Sequence, residues 1–179
     1  MKIEVRSKEK AAKFSSDKPW AAIQVATREG TWPDLKLENR KGVLRLFFPD
    51  YSFLTGNLEK AYPDLKGKLF DENFAQRIFN FVESQSVETL LVHCEAGISR
   101  SPAIAAAIGK IYQGEDAKKW FRTDPYRPNI LVYHTMIGLA KKQGKIPDVP
   151  EDKSISEPPD LDYVDEVPLE IIDVPLETD

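Results

Sequence analysis

Cysteine is almost absent from the sequence: 179 residues contain only Cys94. One thiol excludes an intrachain disulfide and a multi-cysteine metal site, so it is either a small buried hydrophobe or a reactive group. Histidine is nearly as scarce, with only His93 and His134. His134 reads as an ordinary helix residue, because no other ligands accompany it. No metal or other cofactor is therefore expected. No apolar run approaches the roughly 20 residues that span a bilayer, and the opening MKIEVRSKEKAAKF lacks the apolar stretch of a secretory signal. A cytoplasmic protein without membrane insertion is the expectation. Long basic runs are missing too. Within the net charge of −4, the stretch Pro147–Asp179 holds 12 acids against Lys153 alone, which leaves +7 on residues 1–146. That excess suits a body handling phosphate esters and does not by itself indicate nucleic acid. Composition is silent on oligomeric state.

What is present divides at Pro147. Residues 1–146 have the length and apolar content of one domain. Residues 147–179 combine six prolines with the 12 acids, too little apolar surface to offset the ordering of a backbone, and are expected to be disordered. A small repeat in this tail, Val167–Glu170 and Val174–Glu177 (VPLE twice), offers apolar pairs that a partner or the body could take up. Within the body, strands are expected at Lys2–Val5, Trp20–Val25, Val43–Phe48 and Thr89–His93, the last an apolar run of the kind buried on both faces. Between the last two, Asp71–Ser84 repeats Phe74, Ile78, Phe81 and Val82 at helical spacing, with Asp71 and Glu72 at its positive end. A second helix should begin with Ser101 as cap and Pro102 as first residue, bury Ile104, Ala105, Ile108, Ile111 and Tyr112, and stop at Gly114. Shorter helical stretches follow around Glu115–Arg122 and Asn129–Lys142. Strands alternating with helices predict an α/β, three-layer-like sandwich with a mostly parallel central sheet flanked by helices.

The chemistry concentrates in His93-Cys94-Glu95-Ala96-Gly97-Ile98-Ser99-Arg100-Ser101. A phosphate monoester dianion repels nucleophiles, so attack on it needs dense hydrogen-bond donors, positive charge and an ionised nucleophile. Five residues between Cys94 and Arg100 let the backbone curl round the sulfur, with the amides of Glu95, Ala96, Gly97, Ile98, Ser99 and Arg100 aimed inward as an anion nest. Gly97 eases the curl, and the following helix adds its positive end. Arg100 closes the cup, because its planar fork binds two phosphate oxygens at once. Free thiols are only a few per cent ionised at neutral pH. The positive field of the loop is expected to leave Cys94 mostly as thiolate, and sensitive to peroxide with no second cysteine to rescue it. Ser101 is placed to donate to that sulfur. His93, last residue of the buried strand, reads as a brace for the loop and not as a proton carrier.

The stretch Leu90–Ala105, LLVHCEAGISRSPAIA, resembles the cysteine-dependent protein-tyrosine phosphatase superfamily, whose signature is His-Cys, five residues, Arg, then Ser or Thr. It is closest to the dual-specificity type and to small bacterial and phage members, and a weaker likeness runs from about Trp20 to Ile137. The resemblance implies a metal-free double displacement. The thiolate attacks phosphorus, an aspartate protonates the leaving oxygen, and water then hydrolyses the phosphocysteine. A phosphotyrosine-containing protein or peptide is the implied substrate. Arg127-Pro128-Asn129 resembles the Arg-Pro…Asn segment that supports the loop in dual-specificity members, while by residue type Asn129 also reads as a helix cap.

Three aspartates compete for the role of acid. Trp32-Pro33-Asp34 spells the acid-loop motif of tyrosine-specific members, but the strand Val43–Phe48 intervenes before the helix, and in the superfamily the acid loop follows the strand directly preceding that helix. Asp50, ending Phe48-Pro49-Asp50, satisfies this rule. It lies 44 residues before Cys94, longer than the usual spacing, which implies an insertion around Tyr51–Gly67. Asp64, in Tyr62-Pro63-Asp64 and 30 residues before Cys94, is the rival on spacing. Lys36–Lys41 is expected to wall the pocket. Two alternatives to protein phosphatase remain: a phosphate-binding module with little turnover, and a phosphatase of non-protein esters such as phosphoinositides or nucleotides. The acidic tail adds a further expectation, that it folds back on the basic body and competes with substrate, with Tyr163 as modification site or pseudosubstrate.

Overall fold

A computed structural model describes residues 1–51 and 69–147. The elements run β1 (Lys2–Ser7), α1 (Lys8–Ala12), β2 (Trp20–Ala26), β3 (Arg40–Phe47), α2 (Glu72–Ser84), β4 (Thr89–Cys94), α3 (Arg100–Gln113), α4 (Lys118–Phe121) and α5 (Ile130–Lys142). The four described strands form one sheet in the order β1-β4-β2-β3, every pair parallel. The register sets Ser7 beside Cys94 and Gln24 beside His93. The carboxyl ends of all four strands therefore meet at one edge, where open parallel sheets place their ligands.

Burial explains the strand pattern. Every residue of β2 is buried, and so are the last five of β4, as expected of interior parallel strands covered on both faces. The larger face packs Ile23, Val25, Leu46, Leu90 and Val92 against Ile78, Phe79, Ile104, Ile108 and Met136 of the helices. Removing a side chain such as Phe79 from water contributes about 1.5–3 kcal/mol. The smaller face is closed by Ala11 of α1 and by Leu35, which join Trp20, Ala22 and Leu91. The expected α/β sandwich is thus the fold, with its helices shared unequally between the two faces.

Asp71 caps α2, its carboxylate accepting the Asn73 and Phe74 amides at 2.9 and 3.1 Å. Phe79, not Phe81, is the fully buried aromatic of this helix. The helix α1 was not foreseen, because Lys8-Glu9-Lys10 reads as solvated chain and only Ala11 is buried. The start of α3 also differs from expectation. Ser99 occupies the cap position, and Ser101 and Pro102 lie inside the first turn, where a proline is tolerated because its missing N–H has no helical acceptor.

Candidate active site

β4 delivers Cys94 to the sheet edge, and the chain then turns through Gly97, which has φ +75°. A Cβ on Gly97 would stand 2.7 Å from backbone atoms of Arg6 and Ser7, so the curl is possible only without a side chain. The loop's carbonyls are held outward. Glu95 accepts from the Lys8 amide (3.0 Å), Ile98 from Arg127 (2.9 Å), and Ser99 from Asn129 (3.1 Å) and Ala103 (3.2 Å). In a trans peptide the C=O and the next N–H point in opposite directions. The amides of Ala96, Ser99 and Arg100 therefore face the concave side, and the Gly97 N–H reaches Cys94 Sγ at 3.3 Å. Ser101 Oγ lies 3.1 Å from the same sulfur, and Cys94 itself is 2% exposed.

Ser99, although in the cap position, does not cap α3 with its side chain. Its hydroxyl donates instead to Asp50 Oδ1 at 2.7 Å. The first-turn amides of a buried helix are thus left without a side-chain acceptor, the condition under which a helix start takes up an anion.

Arg100 is 4% exposed and held from three directions. Its Nη1 donates to the Phe48 carbonyl at 2.8 Å and to Thr27 Oγ1 at 3.2 Å, and its Nη2 pairs with the Glu95 carboxylate. Glu95 is fixed in turn by the Thr27 amide at 2.8 Å. A guanidinium has five N–H donors, so three are engaged by protein and two remain, Nε–H and one on Nη2. Nε has no hydrogen-bond partner, the nearest anion being Asp50 Oδ2 at 3.6 Å. Two free donors are what bidentate contact with an oxyanion requires. Burial pushes the Glu95 carboxyl up, but the Thr27 amide and the Arg100 charge outweigh it and hold the group below its usual range.

Asp50 follows β3 and reaches the rim of the cup. Its Oδ1 accepts from Ser99 Oγ and from Asn129 Nδ2, both at 2.7 Å. Asn129 has two tasks: its Oδ1 caps α5 through the Val132 amide (3.0 Å), and its Nδ2 holds Asp50 and the Tyr51 carbonyl (3.0 Å). Asp64 and the expected insertion lie outside the described residues, Tyr51 excepted. Trp32 of the Trp-Pro-Asp motif serves the fold: its Nε1 donates to the Leu46 carbonyl at 3.0 Å, the Pro33 carbonyl accepts from Gln24 Nε2 at 2.9 Å, and Asp34 is exposed. His93 is 1% exposed, with Nδ1 3.5 Å from the Cys94 carbonyl and no partner on Nε2. Burial pushes its pKa down to about 4, against the opposing effect of that carbonyl, so the ring is neutral at physiological pH. His134 lies on α5 with its ring 5.5 Å from that of Tyr133.

The structure thus brings Cys94, Ser101, Arg100, Asp50 and Asn129 together and leaves the Lys36–Lys41 stretch elsewhere. Arg40 pairs in register with Trp20, which pairs with Thr89 at the start of β4. Five residues of strand, roughly 16 Å, separate that end from Cys94, so this stretch cannot wall the cup. Thr27, the Phe48 carbonyl and the Glu95 side chain were missed as parts of the site. The sole sequence signal was that Phe48 ends one expected strand and Thr27 lies two residues beyond another; both directly follow the strands as observed.

Fold and site define an α/β chain whose parallel sheet brings Cys94, Ser101 and the buried Arg100 together in one loop at its carboxyl edge. No protein-family model and no curated protein matches the chain. Among solved structures it is similar to human DUSP28, at 16% identity over 79% of this chain and 93% of the other, with a TM-score of 0.46. It is likewise similar to the human tyrosine phosphatase-like serine/threonine/tyrosine-interacting protein, at 16% identity over 79% and 92%, with a TM-score of 0.47. Likenesses of this grade carry no weight for activity, which has to be read from the cup itself. Among the described residues no helix is long and apolar enough to cross a membrane, and no group of three or more potential metal ligands converges.

Proposed function

We propose that the chain is a phosphatase that hydrolyses phosphate monoesters, with phosphotyrosine in proteins or peptides as the leading substrate class. The observation that carries this reading is the buried Cys94 sulfur, in contact with Ser101 Oγ and the Gly97 amide, beneath an Arg100 with two uncommitted donors. In the first step the Cys94 thiolate attacks phosphorus, the S–P bond forms and the ester P–O bond breaks. The leaving oxygen takes a proton from Asp50. In the second step water attacks phosphorus, Asp50 takes its proton, the S–P bond breaks and Ser101 donates to the departing thiolate. The inward amides and Arg100 hold the three equatorial oxygens throughout. His93 and Asn129 brace the loop and carry no proton.

A second reading has one observation in its favour. Asp50 Oδ1 already accepts two hydrogen bonds, so Oδ2 alone is left to carry the proton. If it does not, the cup captures phosphate with little turnover. The two readings separate on para-nitrophenyl phosphate and a tyrosine-phosphorylated peptide, assayed with the parent, Cys94→Ser, Asp50→Ala and Asp64→Ala. Phosphatase action predicts no activity in Cys94→Ser and a loss of about 10²–10⁴-fold in Asp50→Ala. Full activity in Asp50→Ala with loss in Asp64→Ala transfers the acid role to Asp64. Tight phosphopeptide binding by a parent without turnover favours capture.

A further inference from the structure

β3 is the edge strand of the described sheet, and it carries an unusual charge. Arg40, Lys41, Gly42, Val43 and Arg45 line a groove of about 430 Å³ along it. Lys41 and Arg45 are exposed. Arg77 of α2 reaches the same edge, donating to the Arg45 carbonyl at 3.3 Å. None of the four cations is paired with a carboxylate among the described residues. Arg40 donates to the Leu35 carbonyl, and Arg45 donates to Gln24 Oε1 and lies over the Trp32 ring. The groove starts at the sheet end opposite Cys94, where Arg40 is level with Trp20 and Thr89, and runs to Arg45, level with Gln24 and His93; none of its lining side chains bonds to Cys94, Ser101, Arg100 or Asp50 among the described residues.

We propose that this groove is a docking site for the chain's own acidic C-terminal segment, residues 148–179. Three observations converge on that occupant. The segment carries 12 acids and one lysine, and Asp160, Asp162, Asp165 and Glu166 place four carboxylates within seven residues. The described chain ends beside α2: Lys145 pairs with Glu83, Lys142 with Glu72, and Gln143 bonds Gln76. α2 in turn packs on β3, with Phe81 and Gln85 against Gly42. The root of the segment is therefore separated from the groove by one helix, about 10–12 Å across. The 15 residues from Lys145 to Asp160 reach up to roughly 50 Å when extended, so the span is covered several times over. An extended acidic strand laid along an edge strand gains main-chain hydrogen bonds as well as charge contacts. Docking here leaves the cup open, unlike a tail that competes with substrate.

Zero-length carbodiimide crosslinking of the full chain, followed by peptide mapping, tests the proposal without reference to catalysis. The expected product joins Lys41 to a carboxylate within residues 148–179. Its yield should fall at least 5-fold between about 20 mM and 500 mM salt, as the Debye length contracts from about 20 Å to about 4 Å, and again in an Arg40→Gln, Arg45→Gln variant that retains Lys41. A mixture of ¹⁵N-labelled and unlabelled chain should yield the crosslink within one chain only. Absence of the product at low salt overturns the proposal. So does a product confined to mixed pairs, which would assign the groove to another copy's tail, and so does a yield indifferent to salt.

Discussion

At the scale of single residues, the site is governed by how Arg100 distributes its donors. Glu95, Thr27 and the Phe48 carbonyl fix three N–H groups and leave two uncommitted, which the proposed phosphatase action assigns to the phosphate. Glu95→Ala should therefore raise KM for para-nitrophenyl phosphate about 10-fold, a loss in the lower range for a charged hydrogen bond, with a smaller effect in Glu95→Gln, which can still accept from Thr27. An unchanged KM in Glu95→Ala would show that Arg100 needs no such support. Because Glu95 is held below its usual range, the pair contributes fully above that range and is lost only as pH falls through the lowered value. Ser101→Ala removes the donor at the sulfur and should slow hydrolysis of the phosphocysteine by about 10- to 10²-fold, visible as a pre-steady-state burst followed by slow turnover. Cys94, Arg100 and Ser101 were legible in the sequence because they fall within one turn of chain, where local geometry dictates their meeting. Thr27 and Phe48 were not, since their contacts depend on the register of three strands that no local pattern encodes.

At the scale of elements, the strand β4 and the helix α3 are joined by a loop that sets the Cys94 sulfur against a helix start without a side-chain cap. The buried strand and the helix were readable from their apolar content, but the exact start of α3 was not. A Ser-Pro pair ordinarily signals cap and first residue, whereas here Ser99 is drawn to Asp50 and Ser101 to the sulfur. His93 gives this element a pH signature. Its folded pKa of about 4 lies below the ordinary 6.5, so the unfolded chain takes up the proton first. Its contribution is complete above pH 6.5 and is lost as pH falls toward 4, a change of at most about 3 kcal/mol. Glu83 and Glu95, whose values are lowered, act below the range between pH 4.5 and 6.5. Urea unfolding across that range should show a slope in the parent that is flattened in His93→Asn. Equal slopes would mean that the ring is protonated in the folded state. Gly97→Ala should cost about 1–3 kcal/mol of stability and most of the activity, because strain and the Arg6–Ser7 clash act on the same loop.

At the scale of the whole molecule, the four described strands run parallel and direct their carboxyl ends to one place, and each contributes. β1 leads to the Lys8 amide that holds the loop, β2 to Thr27, β3 to Phe48 and Asp50, and β4 to Cys94 itself. The α/β alternation was legible because each element carries its own periodicity. The choice of Asp50 over Asp34 rested on topology; Asp50 bonds Ser99 and Asn129 and lies 3.6 Å from Arg100, while its rival Asp64 lies outside the described residues. The claim on which the rest depends is that Cys94 becomes phosphorylated during turnover. Rapid acid quench of the Ser101→Ala protein with para-nitrophenyl phosphate, followed by mass analysis of the peptide bearing residue 94, measures this directly. The account predicts a single added phosphoryl group on Cys94, formed within the burst and absent in Cys94→Ser. Phosphate release without that adduct, or with the phosphoryl group on another residue, would contradict it.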